Sequence, residues 1–286
     1  MGTTKEVRAV NPESDPNNLY YGKQYIIYNP SQDPVQNGSC LIFRRNTEYD
    51  LHSKENVRFW LNLNGNAENK KFPDLVAGLR KSFPDVKFTR RLVKLMAALL
   101  RTYEEDGYLS LSSFCRLVGW FGPLNRCSIN GRQTCILLKN LEALFEKSML
   151  SSCLGVPESW FAGHMTQTEA WTLLKGAVPG TFLIRFSESQ AENGSFALSI
   201  ATASGEPENV SIHGDPCTAS LGNPMLNLAL RYGGDDDNCR YPDLPTLVAT
   251  RLKKHPFHSD HVERCILPCP RLPLAYIFNM PAGNET

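Results

Sequence analysis

Arg185 stands in the run Pro179-Gly-Thr-Phe-Leu-Ile-Arg-Phe-Ser-Glu-Ser189, with Ile184 and Phe186 on either side. By the period-2 alternation of a strand it shares a face with Leu183 and points inward. A guanidinium buried there without an anion would cost several kcal/mol. The anion is either an internal carboxylate or one that a ligand delivers, and spacing alone leaves both open. Ser187, Glu188 and Ser189 follow at once. Two hydroxyls and successive backbone N–H groups in a tight loop can wrap an oxyanion, and the planar fork of arginine matches phosphate.

Other constellations carry less. Thr102 to Ser113 overlays a calcium-binding loop, with Gly107 at the sharp turn and Leu109 in the core. Thr102 replaces its first Asp and Ser113 its closing Glu, so no calcium is expected. His255, His258, His261, Cys265 and Cys269 cluster at short spacing, but the spacing fits no structural zinc site, and no metal or other cofactor is expected. Arg80, Lys81, Lys87, Arg90, Arg91 and Lys94 face only Asp85, which reads as a solvated helix face before it reads as a nucleic-acid patch. There is no Gly-rich nucleotide loop, no Gly-x-Ser-x-Gly elbow and no His-Glu-x-x-His, so the expectation is a non-catalytic protein.

The elements that must position Arg185 follow from pattern. Thr166-Gln-Thr-Glu169 is a capping box that opens a helix with Ala170, Trp171 and Leu174 on one face. Strands are expected at Thr181 to Phe186, Ser195 to Ala201 and Val210 to His213, and a short helix at Leu244 to Lys253 with Leu247, Val248 and Leu252 inward. Helix, strands, helix in that order indicates an α+β unit with an antiparallel sheet. Upstream, Leu92, Leu95, Met96, Leu99 and Tyr103 fall at helical spacing after Thr89 as N-cap, and a second stripe runs Leu137, Leu141, Leu144, Phe145 and Met149. A small helical domain is therefore expected over 72–158. Residues 1–35 read as an irregular arm with one short strand at 24–28. The turn signal at 36–39 then precedes the apolar run Cys40 to Phe43. Residues 57–63 partly alternate and add a strand, and Asn62 to Lys71 reads as a loop.

The chain has 286 residues, room for about two domains. Thirty Lys plus Arg against 29 Asp plus Glu give +1, which removes the whole-chain argument for nucleic-acid binding or a polybasic membrane contact. No apolar run reaches the roughly 18 residues of a membrane span, and the polar N-terminus has no signal-peptide core. Nine scattered cysteines are not a disulfide framework. The expected location is cytoplasmic, and also nuclear.

Residues 160–270 resemble a Src homology 2 (SH2) domain, the phosphotyrosine-recognition module. The likeness rests on Trp160-Phe161, the first helix, Pro179 to Ser187, Gly194-Ser-Phe-Ala-Leu-Ser-Ile200, Tyr241-Pro-Asp-Leu-Pro-Thr-Leu-Val248 and Ile266-Leu-Pro-Cys269. The long form with Phe-Ser-Glu-Ser is most similar to the signal transducer and activator of transcription (STAT) branch. Thr89 to Phe145 resembles that branch's helical linker with its degenerate EF-hand-like element, or the helical neighbour found in Cbl-type adaptors.

The resemblance implies an SH2-like α+β fold at 159–272, preceded by an arm at 1–71 and the linker domain at 72–158, and followed by a tail at 273–286. It implies binding of a tyrosine-phosphorylated protein or peptide. Arg185 would grip the phosphate, Ser187 would donate to it, and Glu188 and Ser189 would shape the loop. The family's second basic residue falls at Gln167, which is neutral here. The histidine that packs on the tyrosine ring corresponds to His213, or the register gives Ile212 instead. Tyr276 is a candidate phosphorylation site through which two copies would pair by reciprocal phosphotyrosine exchange. The rival reading is a scaffold or transcription-regulator-like protein whose pocket is weakened at Gln167 and which acts through its N-terminal or helical region.

Overall fold

The computed structural model describes residues 25–27, 41–44, 47–50, 54–64, 69–102, 107–151, 154–187, 194–215, 229–233, 240–253 and 264–280. Three strands, β1 (Tyr25–Ile27), β2 (Leu41–Arg44) and β3 (Thr47–Asp50), form an antiparallel sheet. The turn expected at 36–39 lies outside the described residues.

Two helix–strand–helix units follow. The first is α1 (Lys54–Asn62), β4 (Asn69–Lys71) and α2 (Phe72–Ser82). The second is α3 (Arg90–Leu100), β5 (Tyr108–Ser110) and α4 (Leu111–Phe121). β4 and β5 pair antiparallel, Lys70 opposite Leu109, and so join the units. Thr89 caps α3 as expected, its hydroxyl accepting from the Leu92 N–H at 3.2 Å. Of residues 57–63, expected as a strand, 57–62 lie in α1 instead. Asn56 and Trp60 of α1 and Leu63 just past its end are buried, a spacing of i, i+4, i+7 that only a helical turn puts on one face. Trp60 stacks on Phe114 of α4 with ring centroids 5.0 Å apart. The loop expected over Asn62 to Lys71 contains β4. Lys70, which reads as a loop residue, is buried with its ammonium donating to the Leu63 carbonyl at 2.7 Å.

A hairpin, β6 (Arg126–Ile129) and β7 (Arg132–Cys135), leads into α5 (Ile136–Lys147). Its two turn residues are Asn130 at φ 51° and Gly131 at φ 79°, the positive-φ pair that two-residue hairpin turns require. A second small pair, β8 (Met149–Ser151) with β9 (Pro157–Ser159), precedes the main sheet.

That sheet runs β10 (Phe161–Gly163), β11 (Thr181–Phe186), β12 (Phe196–Ile200), β13 (Glu208–Asp215), β14 (Ala229–Tyr232). Its centre is antiparallel, as expected, but its edge is mixed. β10 and β15 (Leu267–Pro268) both pair parallel to β11. Helix α6 (Gln167–Leu174) opens on the expected capping box, with the Thr166 hydroxyl accepting from the Glu169 N–H and the Glu169 carboxylate accepting from Thr166. The second helix begins as α7 (Leu244–Leu247), capped by Asp243, and continues as a wider turn over Val248–Leu252. The chain's last described element is α8 (Ala275–Phe278).

The sheet separates two cores. Leu183 and Ala201 pack with Ala170 and Leu174 of α6, Met165 and Cys269. On the other face Phe182, Ile184, Phe186, Phe196, Leu198, Ile200, Ile212, Leu230 and Tyr232 belong to one cluster that also holds Leu247 and Val248 and the whole helical interior from Trp60 to Phe145. The helical unit and the sheet therefore share a core.

Candidate functional site

Strand alternation sets the site. Residues 182, 184 and 186 enter the shared core, so Leu183 and Arg185 point toward α6. Arg185 is 5% exposed, and its Nη1 donates to the Phe186 carbonyl at 3.4 Å. Register then builds the face around it. Arg185 pairs with Ala197, and Ala197 with Ser211. The α6-facing positions of β12 are Ala197 and Ser199, with Ser195 just before the strand and Ala201 just after it, all small; the core-facing positions are Phe196, Leu198 and Ile200. Small residues on one face and large ones on the other leave room beside Arg185 rather than behind it.

Ser187 is half-buried at the end of β11, and its N–H donates to the Ser195 carbonyl at 3.1 Å, closing the neck of the loop between β11 and β12. Glu188 and Ser189 lie outside the described residues. Gln167 is the first residue of α6 and is exposed, seven positions from Leu174 on the same helical face. His213 is half-buried on β13, two residues from Ser211 and so on the Arg185 face; Ile212 is fully buried in the opposite core. The pairing brings Arg185, Ser187, His213 and the start of α6 to one side of one sheet.

Arg231 belongs to the same face and is not evident from sequence. It pairs with His213 across β13 and β14 and is half-buried, while its neighbours Leu230 and Tyr232 are buried in the shared core. At about 4.8 Å per strand over three spacings, and two residues further along the strand direction, its Cα is roughly 16 Å from that of Arg185. The register that places Arg231 depends on a pairing across residues 216–228, which no local pattern encodes.

Behind the site, Trp120 of α4 stacks on Phe186 with ring centroids 3.6 Å apart and planes 16° from parallel. Its indole N–H donates to the Ser195 carbonyl at 3.2 Å. His164 packs edge-on against both rings, and its Nε2 meets the Leu99 carbonyl at 2.8 Å. Burial holds the His164 pKa below the usual imidazole value; the Leu99 carbonyl opposes this, and the nearby Arg101 and Arg116 charges reinforce it. The neutral ring therefore donates Nε2–H to Leu99. Below about pH 6.5, the ordinary imidazole value, the unfolded chain takes up a proton that folded His164 refuses. Stability falls as pH drops through that window. Thermal midpoints measured from pH 7.5 to 5 will decline more steeply in the wild type than in His164→Phe; parallel declines would remove His164 as the cause.

The remaining candidates are dispersed. Tyr276 is 61% exposed on α8, between the buried core of the tail, Ile277 and Phe278, and Leu274. Thr102 is buried and donates to the Ala97 carbonyl at the end of α3, and the Ser113 hydroxyl meets the Ser110 hydroxyl at 3.1 Å. Both ends of the calcium-loop overlay are thus engaged in capping. His255, His258 and His261 lie outside the described residues. Burial pushes the thiol of Cys269 up to about 11 and raises that of Cys265. Among the described residues no three His, Cys, Asp or Glu side chains gather as a metal site. In the basic patch, Arg91 lies 4.3 Å over the Phe145 ring and Arg80 donates to the Phe88 carbonyl, so two of the six cations are committed to packing. No helix among the described residues is long and apolar enough to cross a membrane.

Comparison with known proteins bears on the sheet. A search of curated proteins gives no match. Among solved structures the chain is similar to the solution structure of the Monosiga brevicollis CRK/CRKL homolog SH2 domain, at 19% identity, TM-score 0.29, over 38% of this chain and 85% of that one. It is similar to an inactive choanoflagellate E3 ubiquitin ligase Cbl TKB region at 15% identity, TM-score 0.34, over 54% of this chain and 40% of that one. A third likeness, to the SH2 domain of the human proto-oncogene protein VAV1, has 19% identity and TM-score 0.28, over 44% of this chain and 74% of that one. At TM-scores this low none of the three supports an argument. The family comparison is more direct: residues 160–221, from Trp160 through β10, α6, β11, β12 and β13, match the family model of the SH2 domain, so this chain contains an SH2 domain.

Proposed function

We propose that the chain is a non-catalytic reader of tyrosine-phosphorylated peptides. SH2 domains bind phosphotyrosine in signalling, and one observation carries the reading to these residues. A nearly buried arginine, Arg185, lies on the small-residue face of the sheet inside the segment that the SH2 family model matches. In this reading Arg185 forks onto the phosphate and the Ser187 hydroxyl donates to it. Glu188 and Ser189 shape the loop, and His213 packs on the tyrosine ring. The extended peptide crosses the sheet. Arg231, opposite His213, supplies the second positive charge that Gln167 withholds.

Titration of the purified chain with a degenerate phosphotyrosine peptide pool and its unphosphorylated twin tests this. Phosphate-dependent binding supports it, and equal binding of both pools sinks it. Arg231→Gln should weaken phosphopeptide binding about 5-fold, and Gln167→Lys should strengthen it by a similar factor, since one solvent-screened ion pair is worth up to about 1 kcal/mol. Isothermal titration of both variants checks the pair; no change in either would detach these positions from the pocket.

The finer reading is STAT-like. The arm is assigned to 1–71, the helical linker to 72–158, the reader to 159–272 and the tail to 273–286, with α1 packed onto the linker. The two helix–strand–helix units joined through β4 and β5 are the arrangement of paired EF-hands, which supports an EF-hand-like linker without calcium. Tyr276, exposed on the tail, is the assigned phosphorylation site for a reciprocal homodimer. Location is assigned to cytoplasm and nucleus. The rival reading, a scaffold acting through the N-terminal or helical region, is favoured by one observation, the neutral and exposed Gln167. Normal partner capture by a chain lacking the Arg185 guanidinium would select it.

A further inference from the structure

The neck of the phosphate loop is held from outside the SH2 fold. The Ser195 carbonyl accepts two hydrogen bonds, one from the Ser187 N–H at 3.1 Å and one from the Trp120 indole at 3.2 Å. The first spans the neck and the second ties it to α4. The Trp120 ring also lies flat on Phe186, the residue between Arg185 and Ser187. Next to this stack the two backbones touch. Gly194 has φ +64°, and a Cβ on it would collide with the Gly119 carbonyl oxygen. Trp120, Phe186 and Ser195 are all at most 3% exposed. Water therefore does not compete for the Ser195 carbonyl, and a neutral hydrogen bond there keeps its full directional strength.

From this geometry we infer that Trp120 is a positioning residue for phosphate binding. It acts through Ser195, fixing the separation of the β11 and β12 ends and hence where the Ser187 hydroxyl and N–H stand relative to Arg185. The inference rests on the phosphotyrosine reading above. It makes the helical unit a part of the binding site, though none of its residues touches the ligand. The coupling runs the other way too: a phosphate that tightens the neck also tightens the joint between sheet and α4.

Two variants of the full chain test it. Trp120→Phe keeps a ring on Phe186 and removes the indole N–H together with one of the two fused rings. Gly194→Ala forces the neck away from Gly119. Phenyl phosphate and the phosphotyrosine peptide pool are the ligands, and amide exchange at Ser187 in the unliganded chain is the independent readout. Trp120→Phe should keep its thermal midpoint within about 3 °C, speed Ser187 exchange at least 5-fold, and bind phenyl phosphate and the peptide pool more weakly by the same factor, 5- to 20-fold. Equal loss on both ligands is what a change at the phosphate, rather than at the peptide's flanks, produces. Gly194→Ala should weaken both ligands further. Wild-type affinity and exchange in Trp120→Phe would overturn the inference, as would an affinity loss confined to the peptide. A wild-type chain that does not prefer phosphate would overturn the binding role together with the phosphotyrosine reading. In that case faster Ser187 exchange in Trp120→Phe would still locate the fault in the reading and not in the neck.

Discussion

Arg185→Ala will abolish phosphate-dependent peptide binding, lowering affinity at least about 100-fold while the chain stays folded. The magnitude follows from the strength of a guanidinium–phosphate pair. Gripped bidentately, the phosphate accepts two charge-assisted hydrogen bonds, each worth about 1.5–3 kcal/mol, so removing both costs about 3–6 kcal/mol, or two to four orders of magnitude in Kd. The fold survives because the β12 neighbours of Arg185 on its face, Ala197 and Ser199, are small, and the packing of β11 rests on Leu183 against α6 and on Phe182, Ile184 and Phe186 on the other face. Arg185→Lys should lie between the two, keeping the charge but losing the fork. Calorimetric titration gives the affinities and circular dichroism the fold. Unchanged affinity in a folded Arg185→Ala chain would remove Arg185 from the binding role altogether.

Phe186→Ala is expected to be the most destabilising single truncation at the site, costing about 3–5 kcal/mol. Phe186 is 3% exposed and its ring packs on those of Trp120, Phe121, Phe161, His164 and Phe196. These five come from α4, β10, the turn before α6, and β12, so collapse into the resulting cavity would have to move two structural units at once. Because a single hydrophobic cluster runs through both units, the wild type and the variant should each melt in one transition, the variant at lower denaturant with the same m-value. Two separated transitions in the wild type, one for the helical unit and one for the sheet, would show that the shared core does not couple them.

How much of this can be read in the chain depends on range. The period-2 alternation around Arg185 and the capping box at Thr166 are local signals, and each appears in the fold where the pattern puts it. α1 is hidden because Val57, Phe59 and Leu61 mimic alternation; the burial of Asn56, whose side chain accepts from the Leu124 N–H at 2.7 Å, has no hydrophobic signature. Asn130-Gly131 is a local turn signal, but the strands it joins, Arg126–Ile129 and Arg132–Cys135, are short and polar and do not mark themselves as strands. β10 and β15 are too short for any periodicity, and their parallel pairing is set by what β11 offers them. Of the site, Arg185 announces itself by being charged among apolar residues. Arg231 and Trp120 do not. One depends on a distant register, and the other is an aromatic residue in an apolar helix, where every pattern says only that it is buried.

The close approach of Gly119 and Gly194 has a consequence for anyone who would move this sheet elsewhere. Excised as a cassette starting near residue 159, the sheet would carry Ile184, Phe186, Phe196 and Leu198 on a face from which α4 had been stripped. That contiguous apolar surface invites self-association. Grafted beside any other helix, the new neighbour would need a glycine opposite Gly194 and an indole one residue on. The transplantable unit is therefore the sheet together with α4 and the helices that hold α4 in place.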